Sequence, residues 1–276
     1  MSGKIVKRRN HEVPKGILKN WLGSEADHEG AHYIDLSSGV LKFEKGKEAA
    51  FAITDYLYVP QRPNGERDDA LEDWFSIDEN GLALFALSAA TGALKSFTDQ
   101  KMINQAIRAC IALGSRSAYG MYMATSVMEP TTGSRHEAAV ANVLNSIGHK
   151  FKKFSTWEFL VIYDLPAPLL ISERPFADFT TRNVDMVAMP LAPRALLLGM
   201  PPDQANRSTM SLRVGPAGPQ HHRVVKMYND ASVEMARQWI VGGTRSELEV
   251  LQAELTPEKV LARRRTDRAF IERVLR

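Results

Sequence analysis

The chain has 276 residues, of which 44% are hydrophobic and 24% are charged, and its formal net charge is +3. These proportions are those of a soluble globular protein with ample length for a core, and the small net charge excludes a strong electrostatic field from the chain as a whole. The single cysteine, Cys110, excludes an intrachain disulfide and a zinc site built from several cysteines.

The sequence predicts a cytoplasmic protein that does not enter a membrane. A lone cysteine in an apolar run is typical of a buried, inert thiol in a reducing compartment. The N-terminus is basic, but no apolar run follows it as in a secretory signal. The longest apolar stretches carry charge and proline, and they are shorter than the roughly 18 residues that a membrane span needs.

The first predicted element lies in the stretch NHEVPKGILKNWL, residues 10–22. Pro14 has a fixed φ and no N–H, so it suits the first turn of a helix, which we expect to continue to about Leu22. His11 precedes this helix on extended chain. The alternative interpretation of His11 is an exposed side chain in a frayed terminal segment.

An antiparallel set of strands is predicted over residues 31–59, with a turn at Ser38-Gly39, and a polar loop follows at 61–69. Three helices come next, and each is marked by apolar spacing or by a capping residue. They are predicted at about Ala70–Ala90, Thr98–Met123 and Ser134–Gly148.

Strands return in the second half of the chain. The segments TWEFLVIYDL and PLLISERP (156–165 and 168–175) predict a buried strand pair, and VAMPLAPRALLLGMPP (187–202) predicts a further strand broken by prolines.

Helices predominate again towards the end of the chain. Asn229 or Asp230 is predicted to cap a helix that ends at Gly242-Gly243, and Ser246 with Glu249 forms a second capping box. Residues 257–276 predict a basic terminal helix after Thr256. The predicted fold class is α+β, a helix-rich single domain over 1–276 with a small antiparallel β component.

Asp78 stands out because it lies on the apolar stripe of the helix after Ala70. A carboxylate on a core-facing stripe is costly unless it is paired, so we expect either a cationic partner or a cleft at this point. Arg116, on the following helix, is the partner that the sequence indicates; its guanidinium could equally bind an anionic ligand. Glu79 is expected to point into solvent. A structural salt bridge is the alternative to a functional site.

Three further polar residues lie near predicted element ends. Ser172 and Glu173 follow a buried strand, where side chains sometimes line a site but more often begin a loop. Asn229 precedes a predicted helix, for which the simplest explanation is an N-cap.

Several segments, in this order, resemble the DUF4238 family, a widespread and mostly bacterial family that was named without an assigned function. They are HEVPKGILKNW, the carboxylate in WFSIDEN, the arginine in LGSRSAYG, ISERP, MPLAPRALLL and KMYNDASVEMARQWIV. The chain departs from the family pattern at Asp78 and Glu173, where the carboxylates are exchanged, and at Ala118, which replaces a proline. The resemblance implies that its pattern residues meet in space, namely His11, Asp78, Arg116, Glu173 and Asn229.

If these residues converge, their chemistry predicts cleavage of a nucleic-acid phosphodiester, with RNA as the expected partner. His11 would be a general base or acid, Asp78 or Glu173 would orient it, and Arg116 would stabilise charge on phosphate. Ser172 and Asn229 would position the substrate. A toxin or phage-defence role is what this kind of family implies.

Two alternatives stay open at this stage. Asp78, Glu173 and His11 could hold Mg²⁺ or Mn²⁺, so the cofactor is either none or a divalent metal ion. The protein could also be a non-catalytic module that binds an anionic ligand or nucleic acid. Basic residues near both ends could hold backbone phosphates or could be simply solvated.

Overall fold

A computed structural model describes residues 9–55, 57–61, 64–91, 93, 99–126, 135–182, 184–202 and 210–255. The predicted terminal helix at 257–276 and most of the basic N-terminal cluster lie outside the described residues. No helix in these ranges is long and apolar enough to span a membrane.

The described chain forms seven α-helices and twelve β-strands, which confirms the mixed α+β class. The helices are α1 (Lys15–Leu18), α2 (Ala70–Ala90), α3 (Gln100–Leu113), α4 (Ala118–Ser126), α5 (Arg135–Phe154), α6 (His221–Met235) and α7 (Arg245–Glu254). The first strands are β1 (Arg9–His11), β2 (Gly23–Glu25), β3 (His28–Asp35), β4 (Val40–Lys45), β5 (Ile53–Asp55) and β6 (Glu158–Tyr163). The remaining strands are β7 (Ile171–Ser172), β8 (Ala177–Asp178), β9 (Val187–Ala192), β10 (Ala195–Met200), β11 (Ser211–Pro216) and β12 (Trp239–Val241).

One sheet has the order β11-β6-β10-β9-β8, and only the β6–β11 pair is parallel. Both of its faces are covered. Along β10, Leu197 packs into the core that includes α2, α3 and α5, whereas Leu196 and Leu198 pack with residues of α6. Since successive side chains point to opposite faces, a sheet buried on both sides needs a continuous apolar run rather than alternation. This explains the uninterrupted burial of β9.

Two strand predictions for this region are wrong. The segment 187–202 was expected to be a single broken strand, but it forms the β9–β10 hairpin, in which Pro193 and Arg194 make the turn. The segments 156–165 and 168–175 were expected to pair, but β6 and β7 belong to different sheets. Apolar content predicted the burial of these strands, and it carries no information about their partners.

The second sheet is built around β3. Strand β4 pairs along one edge of β3, β2 and β12 pair along the other edge, and β7 lies beyond β12. The predicted turn is confirmed, because β3 and β4 form a hairpin and Gly39 has φ 70°. Strand β5 is not part of this sheet. It pairs with β1 in a separate two-stranded sheet, in which His11 lies opposite Ile53.

The predicted helix at 70–90 is confirmed as α2. The helix predicted at 98–123 is wrong in its continuity, since α3 ends at Leu113 and α4 begins at Ala118. The helix predicted to end at Gly148 continues to Phe154. A methyl group added at Gly148 would meet no atom within 4 Å, so this glycine is an interior helix position and not a stop.

Near the C-terminal end, Asn229 is not an N-cap. It lies inside α6, which ends at Met235 and is followed by β12 rather than by more helix. The capping box belongs to Thr244 and Glu247, whose side chains each bond the other's backbone N–H. Ser and Thr are both good caps, so residue type alone placed the box two residues late.

The N-terminal helix is confirmed in its position, although it is short. After α1, residues Lys19–Trp21 form a 3₁₀ turn. The indole N–H of Trp21 donates to the carbonyl of Leu169 at 2.9 Å, and the Asn20 amide donates to the carbonyl of Leu191 at 2.8 Å. These bonds hold the segment that carries His11 against the body of the protein.

The β3–β4 hairpin gives a stability prediction. A Cβ added at Gly30 would lie 2.2 Å from the backbone oxygen of Glu44. We expect Gly30→Ala to lower the free energy of unfolding by about 1–3 kcal/mol, because backbone must move. The matched control, Gly148→Ala, should raise it by about 1 kcal/mol, since alanine is the better helix former. Urea denaturation measures both, and a Gly30→Ala variant as stable as the wild type would contradict the close approach.

Candidate functional site

Asp78 has the cationic partner that its buried position requires. Its side chain is 3% exposed, and its two oxygens accept bonds from Arg108, at 2.6 Å from Nε and 2.7 Å from Nη2. The partner predicted from the sequence, Arg116, is therefore wrong. The paired fork and carboxylate match the structural salt bridge that was the alternative to a functional role.

Arg116 lies in the break between α3 and α4, with 1% of its surface exposed. Its guanidinium carbon is 5.0 Å from the ring centre of Tyr58 and 4.4 Å from that of Phe75. It forms an ion pair with Glu79 and lies 3.6 Å from Glu72. The expectation that Glu79 is solvated is therefore wrong, and the predicted phosphate-binding guanidinium is already enclosed by aromatic rings and carboxylates.

Asp78 and Arg116 nevertheless line the same small cavity between α1, α2 and α3. The cavity walls are formed by Pro14, Phe75, Asp78, Glu79, Leu82, Ala109, Ala112, Leu113 and Arg116. Two of the six residues predicted to form a site thus share one hollow. Asp78, however, is paired with Arg108, whereas Arg116 is paired with Glu79.

His11 lies at the edge of this region. Its Nε2 is 3.2 Å from the carbonyl oxygen of Glu48. Because a carbonyl only accepts, Nε2 carries the hydrogen, and the lone pair is on Nδ1. Burial lowers the pKa of His11 below its usual value, and the positive charges of Arg116 and Lys15 lower it further against the opposing carbonyl bond. The imidazole is therefore neutral at neutral pH.

The two neighbours of His11 point into the protein, as alternation along a strand requires. The amide oxygen of Asn10 accepts from the backbone N–H of Tyr58 at 3.4 Å, and Glu12 accepts from the hydroxyl of Thr54 at 2.8 Å. Both side chains are fully buried. Sequence reasoning missed them, although a polar pair flanking His11 on extended chain was the available signal.

Asn229 and Ser172 form a second group, next to the segment that leads into and out of β7. The amide of Asn229 accepts from the N–H of Leu170 and donates to the carbonyl of Pro168, both at 3.0 Å. The hydroxyl oxygens of Ser172 and Ser232 are 3.5 Å apart. These bonds attach the segment to α6, so the amide predicted to position a substrate holds backbone instead.

Glu173 belongs to the same group and is completely buried. One carboxylate oxygen accepts from the backbone N–H of Arg237 at 2.5 Å, and the other lies 3.5 Å from the N–H of Trp239. Burial raises the pKa of Glu173, and these amide bonds oppose the increase. The carboxylate therefore holds the turn that precedes β12.

The predicted residues thus divide into two groups: His11, Asp78 and Arg116 lie by the helices, whereas Ser172, Glu173 and Asn229 lie by α6. Within the described ranges, no hydrogen bond or ion pair joins the two groups. The same ranges contain no group of three or more His, Cys, Asp or Glu side chains that could hold a metal ion. Cys110 is buried as expected, and burial raises the pKa of its thiol.

No protein-family model matches the chain, and no curated protein or solved structure matches it either. The resemblance to DUF4238 proteins stays a prediction.

The Asp78–Arg108 pair gives an asymmetric prediction. Arg108→Met leaves a carboxylate that is 3% exposed without a partner, and we expect it to lower the free energy of unfolding by about 3 kcal/mol. Asp78→Asn leaves a guanidinium that is 36% exposed and can turn to water, so about 1–2 kcal/mol is expected. Chemical denaturation measures both values, and Arg245→Gln, at an exposed ion pair, is the control without effect. Equal losses in the two variants would contradict the assignment.

Proposed function

We propose that the protein cleaves RNA, with His11 as the general base. The observation that carries this proposal is a neutral imidazole at the edge of the structure, with Nδ1 as the atom that can accept a proton. A neutral imidazole is the form that a general base requires. The motif order shared with DUF4238 proteins supports a toxin or phage-defence role in the cytoplasm.

The chemistry follows from the residues nearest His11. Nδ1 takes the proton of a ribose 2′-hydroxyl, and the 2′-oxygen attacks the adjacent phosphorus. The bond to the 5′-oxygen breaks, that oxygen takes a proton from water, and the hydroxide so formed takes the proton from His11, which returns to its neutral form. The products are a 2′,3′-cyclic phosphate and a 5′-hydroxyl. No metal ion is needed for this route, because the nucleophile belongs to the substrate.

The other predicted roles are redistributed in this proposal. Arg116 acts on His11 from a distance, because its guanidinium is buried. The cations at the surface beside His11 are Arg9 and Lys15, and Lys15 is 34% exposed in its pair with Glu48. They would contact backbone phosphate. Asp78 and Glu173 act as structural carboxylates.

The test is incubation of the full chain with labelled tRNA, with and without a chelator. We expect cleavage that His11→Ala and His11→Asn reduce by at least about 100-fold, the usual contribution of a general base. His222→Ala, an exposed histidine at the start of α6, is the matched control and should cleave like the wild type. A single deoxyribose at the cleavage position should stop the reaction. Undiminished cleavage by His11→Ala would refute the assignment, and loss of cleavage in chelator would select the Mg²⁺ or Mn²⁺ variant.

The pH dependence has a definite sign. Neutral His11 is the active form and burial lowers its pKa from the usual value, so the rate should rise with pH through that lowered pKa and then level off. Lys15→Met removes one of the charges that lower this pKa, so the rising limb should shift to higher pH. NMR titration of the imidazole gives the same shift without any substrate. If the rising limb does not move in Lys15→Met, the pH dependence of the rate does not come from His11.

A non-catalytic module that binds an anion is the second candidate. The observation in its favour is that Asp78 and Arg116 each have charged protein partners, and within the described ranges no carboxylate bonds the His11 imidazole. Persistent RNA binding in His11→Ala and Asp78→Asn, with no cleavage by the wild type, selects this candidate.

A further inference from the structure

Two guanidinium groups lie over one aromatic ring, and a lysine of α5 contacts the chain segment that leads to that ring. The guanidinium carbons of Arg174 and Arg237 lie 5.2 Å and 5.3 Å from the ring centre of Tyr119, on α4. The ammonium of Lys150, on α5, is 3.3 Å from the hydroxyl oxygen of Ser115. Ser115 lies in the break between α3 and α4, three residues before the start of α4 at Ala118. The charge of Lys150 also acts on the same cluster, since it is coupled to that of Arg174.

Within the described residues, none of these three cations forms an ion pair with a carboxylate. Arg237 donates to the carbonyls of Glu234 and Ala236, at 2.7 Å and 2.9 Å. The Nε of Arg174 is buried and has no hydrogen-bond partner. A buried N–H that bonds neither protein nor ligand is costly, so a ligand oxygen is the natural acceptor at this point.

The nearby acids have other bonds. Glu173 accepts from two backbone amides, as described above. The Oδ1 of Asp178 accepts from the N–H and the hydroxyl of Thr180, at 3.1 Å and 2.6 Å. Lys153 adds a fourth cation at the rim, where it donates to the Thr180 hydroxyl at 2.8 Å. Four cations therefore face two carboxylates, Glu173 and Asp178, and the cluster has an excess of positive charge.

The electrostatic cost of this arrangement is visible in the cations themselves. Burial lowers the pKa of Lys150; the charge of Asp178 opposes this decrease, and the charges of Arg174 and Lys153 add to it. Burial also lowers the pKa of Arg174; the charge of Glu173 opposes this decrease, and the charge of Arg237 adds to it. Like charges held together away from water destabilise the folded chain unless an anion joins them.

We propose that the cluster formed by Arg174 and Arg237 over Tyr119, with Lys150 at Ser115 nearby, binds a phosphate group. Two guanidinium forks and an ammonium supply donors from several directions, which suits a tetrahedral anion with three or four oxygens better than a planar carboxylate. Inorganic phosphate, a mononucleotide and the RNA backbone share this chemistry. The site contains none of the residues around His11, so this proposal does not depend on the proposed RNA cleavage.

Glu173 explains how the site is assembled. Its carboxylate bonds the backbone N–H of Arg237 and is itself adjacent to Arg174 in the chain. One buried carboxylate thereby ties the backbone of Arg237 to the residue before Arg174, and both guanidinium groups lie over the same ring. Glu173 is a positioning residue in this proposal, and Lys150 is brought to the site from α5.

The test is titration calorimetry of the full chain at pH 7 and low salt, with inorganic phosphate as the first probe. We expect saturable binding that weakens at least tenfold in Arg174→Gln and in Lys150→Gln and is lost in the double variant. Arg245→Gln, an exposed arginine paired with Glu25 and Glu249, is the matched control and should bind like the wild type. Titrations with a 5′-mononucleotide and a short RNA then identify which source of phosphate binds most tightly.

Thermal unfolding gives a second readout that a purely structural role would not produce. Phosphate should raise the Tm of the wild type but not that of Arg174→Gln or Lys150→Gln. In phosphate-free buffer, both variants should have a Tm at or above that of the wild type, because a repelling charge is gone. No saturable phosphate binding by the wild type, or wild-type affinity in both variants, would overturn the proposal. His11→Ala should bind phosphate normally, so the failure of cleavage and the failure of this site are distinguishable.

Discussion

The buried carboxylate of Glu173 holds together parts of the chain that are far apart in sequence. It follows β7 directly, and it accepts bonds from the backbone of the turn before β12. The same segment is attached to α6 by Asn229, through backbone groups of Pro168 and Leu170. Without these bonds, only the short pairing between β7 and β12 would hold the two strands together. The second sheet, α6 and the arginines over Tyr119 all depend on this attachment.

The helical layer is organised by charge in a comparable way. Asp78 is matched by Arg108, and Arg116 is enclosed by carboxylates of α2 and by two aromatic rings. Each charge is costly to bury and becomes tolerable only with its partner in place, so the pairs specify how α2 and α3 lie against each other. His11, by contrast, is only partly buried and bonds a backbone carbonyl rather than a charged side chain.

The sequence predicted α2 and the need for a partner to Asp78, because apolar spacing and the cost of a lone buried carboxylate are local properties. It could not select the partner. Asp78 and Ala112 lie equally far along α2 and α3 from the connection between these helices. Arg108 and Arg116 are each about one helical turn from Ala112 in the sequence. The end of α3 at Leu113 decides the choice, since Arg116 then leaves the helical register. The role of Asn229 was missed for a related reason, because its bonds are to backbone some 60 residues away. Lys150 and the two arginines over Tyr119 come from three distant segments, and no spacing in the sequence relates them.

The short pairing between β1 and β5 fixes which side chains of the N-terminal segment point into the protein. Asn10 and Glu12 face inward there, and His11 between them faces the edge. A slip of one position against β5 would turn the imidazole inward and bring an amide and a carboxylate out in its place. The pairing with Thr54 and the backbone of Ala52 resists such a slip. Loss or gain of one residue between β1 and Pro14 would therefore force a choice between these buried bonds and the outward position of the His11 imidazole.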